Sequence, residues 1–216
     1  GGIRFAASGG LEQRSFFGAR EEEGAEAPIL GETEGTNLRA YADARLAVVF
    51  NPDRLRRDRP HRITLSGRYL WPMAGARGDI RELRGSYRNT VAVGFDELRY
   101  ELEGAWLDGQ VPFYSELPMG EGFLRSAFQG TVYARQLAAL NLEYRFSLSR
   151  DELKLGLFND VVVYEGLDAL REPEGLRLID NFGLGLHILL VDAFQVNGYF
   201  GVGIRSDGEA DLGFSL

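Results

Sequence analysis

Polar and apolar side chains alternate strictly along most of this chain, in segments of about ten residues, and a period of two makes strands and not helices. From Asn37 to Phe50 the even positions read Leu38, Ala40, Ala42, Ala44, Leu46, Val48 and Phe50, while the odd ones include Arg39, Tyr41, Asp43 and Arg45. A helix would scatter these residues around its surface; a strand sorts them onto two faces. Ile63, Leu65, Tyr69 and Trp71 oppose Arg62, Thr64, Ser66 and Arg68 in the same way, and Leu140, Leu142, Tyr144, Phe146 and Leu148 oppose Asn141, Glu143, Arg145 and Ser147. Ten strands are predicted: Ile3–Phe16, Asn37–Phe50, His61–Trp71, Tyr87–Phe95, Leu98–Trp106, Leu140–Leu148, Leu153–Val163, Phe182–Leu190, Phe194–Ile204 and Ala210–Leu216. Gly85–Trp106 is too long for one crossing at about 3.3 Å per residue. Its alternation changes phase across Phe95-Asp96-Glu97-Leu98, which predicts a tight turn or bulge there.

Hydrophobic residues make up 44% and charged residues 26%, the balance of a water-soluble protein. A membrane barrel has the same average, because its strands alternate lipid-facing and lumen-facing side chains. No apolar run approaches the roughly 18 residues of a membrane helix, so any crossing requires a closed or completed sheet. The expected connections sort by length. Phe17–Thr36, Pro72–Ser86, Asp108–Gln136 and Glu165–Arg177 are long, whereas Phe95–Leu98, Leu148–Asp151 and Val191–Ala193 are short. Asn51–Pro60 and Ser206–Glu209 depart from that rule. A soluble β-sandwich or ligand-binding barrel alternates equally well. Long loops on one side, short turns on the other and aromatic residues at strand ends (Tyr69, Trp71, Trp106, Tyr144, Phe146) favour an all-β, antiparallel transmembrane barrel. The expectation is one domain over residues 1–216, either a small closed barrel or the C-terminal part of a larger one, with both sheet ends on the periplasmic side.

The chain has no cysteine, and hence no disulfide framework or thiolate site. Its net charge of −8 argues against a nucleic-acid partner. His61 and His187, the two histidines, fall on different strands without ligand spacing, so no metal site, cofactor or catalytic residue is predicted and His187 reads as lumen packing. No Gly-x-Ser-x-Gly elbow or phosphate loop is present, and the chain reads as non-enzymatic. The acidic run from Arg20-Glu21-Glu22-Glu23 to Glu34 reads as a solvated loop, with shared cations on lipopolysaccharide phosphates as the alternative. Arg54, Arg56, Arg57 and Arg59 read as a solvated basic turn near lipid headgroups. Gly1-Gly2 at the start, with no initiator Met and no apolar leader, reads as a processed or partial chain.

From Trp106 to about Ile204 a series of short motifs follows in order. Gln110-Val111-Pro112-Phe113-Tyr114-Ser115-Glu116-Leu117-Pro118 precedes the Gly-rich stretch Met119-Gly120-Glu121-Gly122-Phe123-Leu124-Arg125-Ser126-Ala127-Phe128. Leu140-Asn141-Leu142-Glu143-Tyr144-Arg145-Phe146, Leu157-Phe158-Asn159-Asp160 and Phe182-Gly183-Leu184-Gly185-Leu186 come next. This series resembles the C-terminal barrel of the bacterial surface antigen superfamily, the BamA- and TamA-like assembly and secretion proteins. The loop motif rests on Gly120, Gly122, Leu124 and Phe128, and the strand motif on Asn141, Tyr144, Arg145 and Phe146. Ser126 stands where the family has a glycine, Val162 where it has a strand glycine, and Phe214-Ser215-Leu216 lacks its final aromatic residue.

The resemblance implies a bacterial outer-membrane location, with lipid and lipopolysaccharide around the sheet. It implies a role in inserting or exporting other proteins, with partner chains completing the barrel as one option. It also implies that the loop over residues 108–136 folds into the lumen, where Arg125 pairs with Glu143 and Asp160. A guanidinium has five donors in a planar fork and can bridge two carboxylates. The alternation independently puts Glu143 and Asp160 on the polar face. Two other roles stay open: a barrel anchor or exit pore of a larger protein such as a patatin-like phospholipase, and a small structural or accessory barrel.

Overall fold

The computed structural model describes residues 1–16, 35–50, 61–112, 115–119, 123–128, 132–149, 152–167, 172–190 and 194–215. All regular structure among them is β. Ten strands form one antiparallel sheet: β1 (Gly2–Phe16), β2 (Gly35–Phe50), β3 (His61–Pro72), β4 (Ile80–Val93), β5 (Asp96–Gly109), β8 (Gln136–Ser149), β9 (Leu153–Leu167), β10 (Pro173–Leu190), β11 (Phe194–Arg205) and β12 (Ala210–Ser215). Neighbours in sequence are neighbours in the sheet, except that β6 (Leu117–Pro118) and β7 (Tyr133–Ala134) pair separately inside the β5–β8 connection. β1 and β12 are the two edges, and no closed barrel is formed among the described residues.

The strands are longer than the alternation suggests. β4 begins at Ile80 and not Tyr87, so the loop expected over Pro72–Ser86 shrinks to 73–79. Glu82, Arg84 and Ser86, which made this segment read as a loop, all point to one face and pair in register with Arg68, Ser66 and Thr64 of β3. Likewise, β9 runs on to Leu167 and β10 starts at Pro173, which reduces the loop expected over Glu165–Arg177 to 168–172. The phase change near residue 95 is a two-residue hairpin: Val93 pairs with Asp96, and Gly94 takes a φ of 66° that a side chain would resist. The acidic run 20–34, the basic cluster 54–59 and Leu216 lie outside the described residues.

One face of the sheet carries exposed apolar side chains, and the other buries charged and polar side chains beside an apolar cluster. Leu65, Leu83, Leu102, Leu157, Phe182, Leu184, Phe200 and Leu212 are exposed on one face. On the other, Arg39, Asn141, Glu143, Arg145, Asp160, Asn181 and His187 are buried. That polar face is concave. Across a flat sheet β8 and β12 would be about 19 Å apart, at about 4.8 Å per strand. Yet Arg125 alone reaches both, donating from its guanidinium to the Leu142 carbonyl at 3.2 Å and accepting at its own carbonyl from the Ser215 hydroxyl. Lys154 of β9 likewise reaches past β8 to Glu97 of β5, at 3.1 Å.

Aromatic residues gather at both ends of the convex face. Phe50 stacks on His61 with ring centroids 4.8 Å apart; His61, Tyr87 and Tyr100 continue the row, and Tyr144 packs on Phe146 beside it. At the other strand ends Tyr69 packs on Trp71, and Trp106 lies on the same face. Ten residues of β3 separate His61 from Trp71. At about 3.3 Å per residue, the two bands stand about 33 Å apart along the strand.

Candidate functional site

The connection between β5 and β8 packs into the concavity. Its two legs are zipped by β6 and β7, where Leu117 pairs with Ala134 and Pro118 with Tyr133. Arg135 sits 3.6 Å from the buried Glu116 beside this ribbon. Leu117, Met119, Phe123, Leu124, Ala127, Phe128, Val132 and Ala134 are all buried. They join Leu70, Ile80, Leu107, Val162, Tyr164 and Ile179 of the sheet in one apolar cluster on the concave side. The loop thus covers the apolar part of the concave face with apolar surface of its own.

Beyond this cluster, the tip is held by polar side chains standing in one row across the sheet. In register, Arg88, Glu101, Asn141, Asp160, Asn181, Gly203 and Asp211 oppose one another from β4 to β12. Successive tip residues meet successive members of that row. Asn141 donates to the Phe123 carbonyl at 2.9 Å, and the Arg125 backbone N–H donates to Asp160 at 3.0 Å. The Ser126 hydroxyl donates to Asn181 at 3.1 Å, and the Phe128 N–H donates to Asp211 at 2.7 Å. The advance of five residues from Phe123 to Phe128 thus spans the four steps from β8 to β12.

Glycines make room for it. A side-chain carbon on Gly203 would lie 2.6 Å from the Ala127 methyl and 2.7 Å from the Phe128 ring, and one on Gly213 would run into the Ser126 backbone. Phe128 itself has a φ of 54°, a left-handed conformation rare for a bulky residue. Its buried ring and its bond to Asp211 hold it there.

Charge concentrates around Arg125. Its Nε lies 3.4 Å from Asp160 Oδ1 and a terminal nitrogen 3.7 Å from Glu143 Oε2. The guanidinium also stands over the rings of Phe158 and Tyr199, at 5.3 and 5.6 Å. Glu143 has two further partners: Arg145 at 2.8 Å and the His187 Nε2 at 2.5 Å, whose other nitrogen meets Asn197 at 2.8 Å. Side chains of β8, β10 and the loop therefore converge on one buried carboxylate, an arrangement that fixes relative strand positions.

Of the residues singled out from the sequence, Arg125, Glu143, Asp160, Asn141 and Arg145 come together here. Leu124 and Phe128 are buried beneath the tip, while Tyr144 and Phe146 face the opposite, convex side. Gly120 and Gly122 lie outside the described residues. Sequence reading missed Asn181, Asp211, Ser215 and the pairing of His187 with Glu143. One signal was available: small residues recur on the polar face of the last strands, at Gly183, Gly185, Gly201, Gly203 and Gly213, and a glycine-lined strand face admits close backbone approach. Among the described residues no group of His, Asp and Glu is arranged to hold a metal ion. No known family model matches the chain, and neither does any curated protein.

Proposed function

We propose that this chain is the membrane-embedded sheet of an outer-membrane barrel of the assembly and secretion type, a non-enzymatic protein that inserts or exports other proteins. The observation that carries this reading is the division of polarity: an apolar convex face between two aromatic bands about 33 Å apart along the strand, which the tilt of about 40° in a membrane barrel would bring to about 25 Å, and buried charge on the concave side. Hydrocarbon accepts the first, and only an enclosed interior suits the second. The loop tip, wedged through Arg125 between Glu143 and Asp160, acts as an internal brace that sets the curvature of β8–β12. The edges are the working surfaces. Among the described residues β1 pairs with β2 alone, along fifteen residues, and β12 pairs with β11 only over Tyr199–Ile204. An unpaired edge is a template for an incoming strand, whether from a client or from a partner chain that completes the barrel.

Leu184→Arg tests the membrane assignment. At a position 48% exposed this change is nearly neutral in water but costs about 2–4 kcal/mol at the bilayer midplane. Loss of heat-modifiable, membrane-extracted protein is expected, and a fully folded water-soluble variant would sink the reading. A photo-cross-linker at Ala7 on the β1 edge tests the role, since it is expected to capture nascent outer-membrane strands.

A second reading, the exit pore or anchor of a larger protein such as a patatin-like phospholipase, draws on one feature. A polar cavity of about 670 Å³, lined by Asp43, Arg45, Arg68, Glu82, Arg84 and Glu103, lies on the concave side of β2–β5. Ion conductance by the reconstituted protein, lowered by bulky substitutions at Ser66, would favour it.

A further inference from the structure

Away from the strand ends and the aromatic bands, the outward positions of every strand are apolar or glycine, with one exception. Asn159 of β9 donates to Asp180 of β10 at 2.5 Å, and both side chains stand on the convex face. Asn159 is the seventh of the fifteen residues of β9 and Asp180 the eighth of the eighteen of β10, so the pair sits mid-strand. Its surroundings offer it nothing. Asp180 is in register with Val161 on one side and Ile204 on the other, Asn159 with Phe182 and Leu142. Among the described residues Asn159 is the only side chain that donates to Asp180.

A carboxylate has about four acceptor sites and an amide two donors, so one internal bond leaves most of this capacity unused. Turned toward lipid, unused polar capacity is costly, and ionisable groups at such depth ordinarily face a partner. The pair also carries its own complement: the second N–H of Asn159 beside the free valences of Asp180. Across a two-fold axis each copy's Asn159 donates to the other copy's Asp180, which is the self-complementarity an isologous contact needs. Leu157, Val163, Leu178 and Phe182 supply an exposed apolar rim. We infer that two copies of this chain pair laterally in the membrane through β9 and β10, with Asn159 and Asp180 at the axis. This rests on the reading that the convex face lies in lipid.

The chain has no cysteine, so one introduced thiol reports one position. Val161→Cys, beside the axis, is expected to form a disulfide-linked homodimer when native membranes are oxidised, identified by a hybrid band between two tagged lengths. Leu83→Cys, on the same face at β4, is expected to remain monomeric. Adding Asn159→Leu or Asp180→Leu to Val161→Cys should lower the dimer yield about fivefold or more, the effect of losing both symmetry-related membrane hydrogen bonds. Asp180→Asn, which keeps donors and acceptors, should preserve it. A monomeric Val161→Cys, a cross-link to a different protein, or yields indifferent to both leucine variants would overturn the pairing. Labelling Leu184→Cys in the same membranes separates the two failures. Reaction with lipid-phase but not aqueous reagents upholds the membrane reading while the pairing alone falls; aqueous reactivity removes both.

Discussion

Replacing Arg125 with alanine is the sharpest perturbation of the braced loop, because its cost falls on one side of the site. Glu143 would keep Arg145 at 2.8 Å and His187 at 2.5 Å. Asp160, fully buried, would keep the backbone N–H of residue 125 at 3.0 Å, the Asn181 amide at 3.4 Å and the adjacent Asn141 amide, all uncharged, and would lose its facing cation. Breaking a buried ion pair costs about 3–5 kcal/mol. The guanidinium is 18% exposed and its contacts are 3.4 and 3.7 Å long, which points to the lower end. A loss of about 3 kcal/mol in a domain of this size lowers the unfolding midpoint by roughly 6–12 °C. Intrinsic fluorescence is a suitable readout, since Trp71 and Trp106 both stand at the loop-bearing end of the sheet. Protease cleavage within 123–128 should rise in parallel. Arg125→Lys keeps the charge without the fork and should fall between. Arg125→Ala combined with Asp160→Asn should recover part of the loss, because the buried carboxylate is gone. A midpoint shift under roughly 1 °C with unchanged protection, or a double variant no better than Arg125→Ala, would refute the brace.

Gly213→Val should expel the tip, since its side chain would occupy the space of the Ser126 backbone. Limited proteolysis should then cut within 123–128 while the far-ultraviolet β signal persists; a still-protected tip would count against the packing described. In the 73–79 loop, the Tyr69 hydroxyl, at 2.8 Å, and then Arg81 hold the Asp79 carboxyl below the usual carboxylate range. A depressed folded value means that the loop's contribution is complete above the ordinary aspartate range and is lost as pH falls through the depressed value. Trp71, packed on Tyr69, should therefore change its emission only in that acid range, and Asp79→Asn should abolish the transition.

The ten strands of the main sheet and the face taken by each side chain were legible in the linear pattern, whereas the short β6–β7 ribbon inside the 108–136 connection was not. The reason is local: successive Cβ atoms point to opposite sides of a strand whatever the strand pairs with, so Leu184 and Asn181 are sorted before any partner is known. Strand ends were misread where that rule loses contrast. Glu82, Arg84 and Ser86 look like loop residues because the face they occupy is polar by design of the sheet, and polarity there says nothing against β structure.

The site divides along the same line. Glu143 and Asp160 on the polar face, and Arg125 on a loop tip, could be read from sequence. That Asn181 and Asp211 extend the same row could not, because register between strands depends on turns and bulges far from both residues. Curvature lies further out of reach. The contact of His187 with Glu143, two strands apart, and the reach of Arg125 from β8 to β12 exist only because the sheet bends. Local pattern decides which way a side chain points; how closely distant strands approach is a sum over every pairing between them, and only the assembled sheet contains that sum.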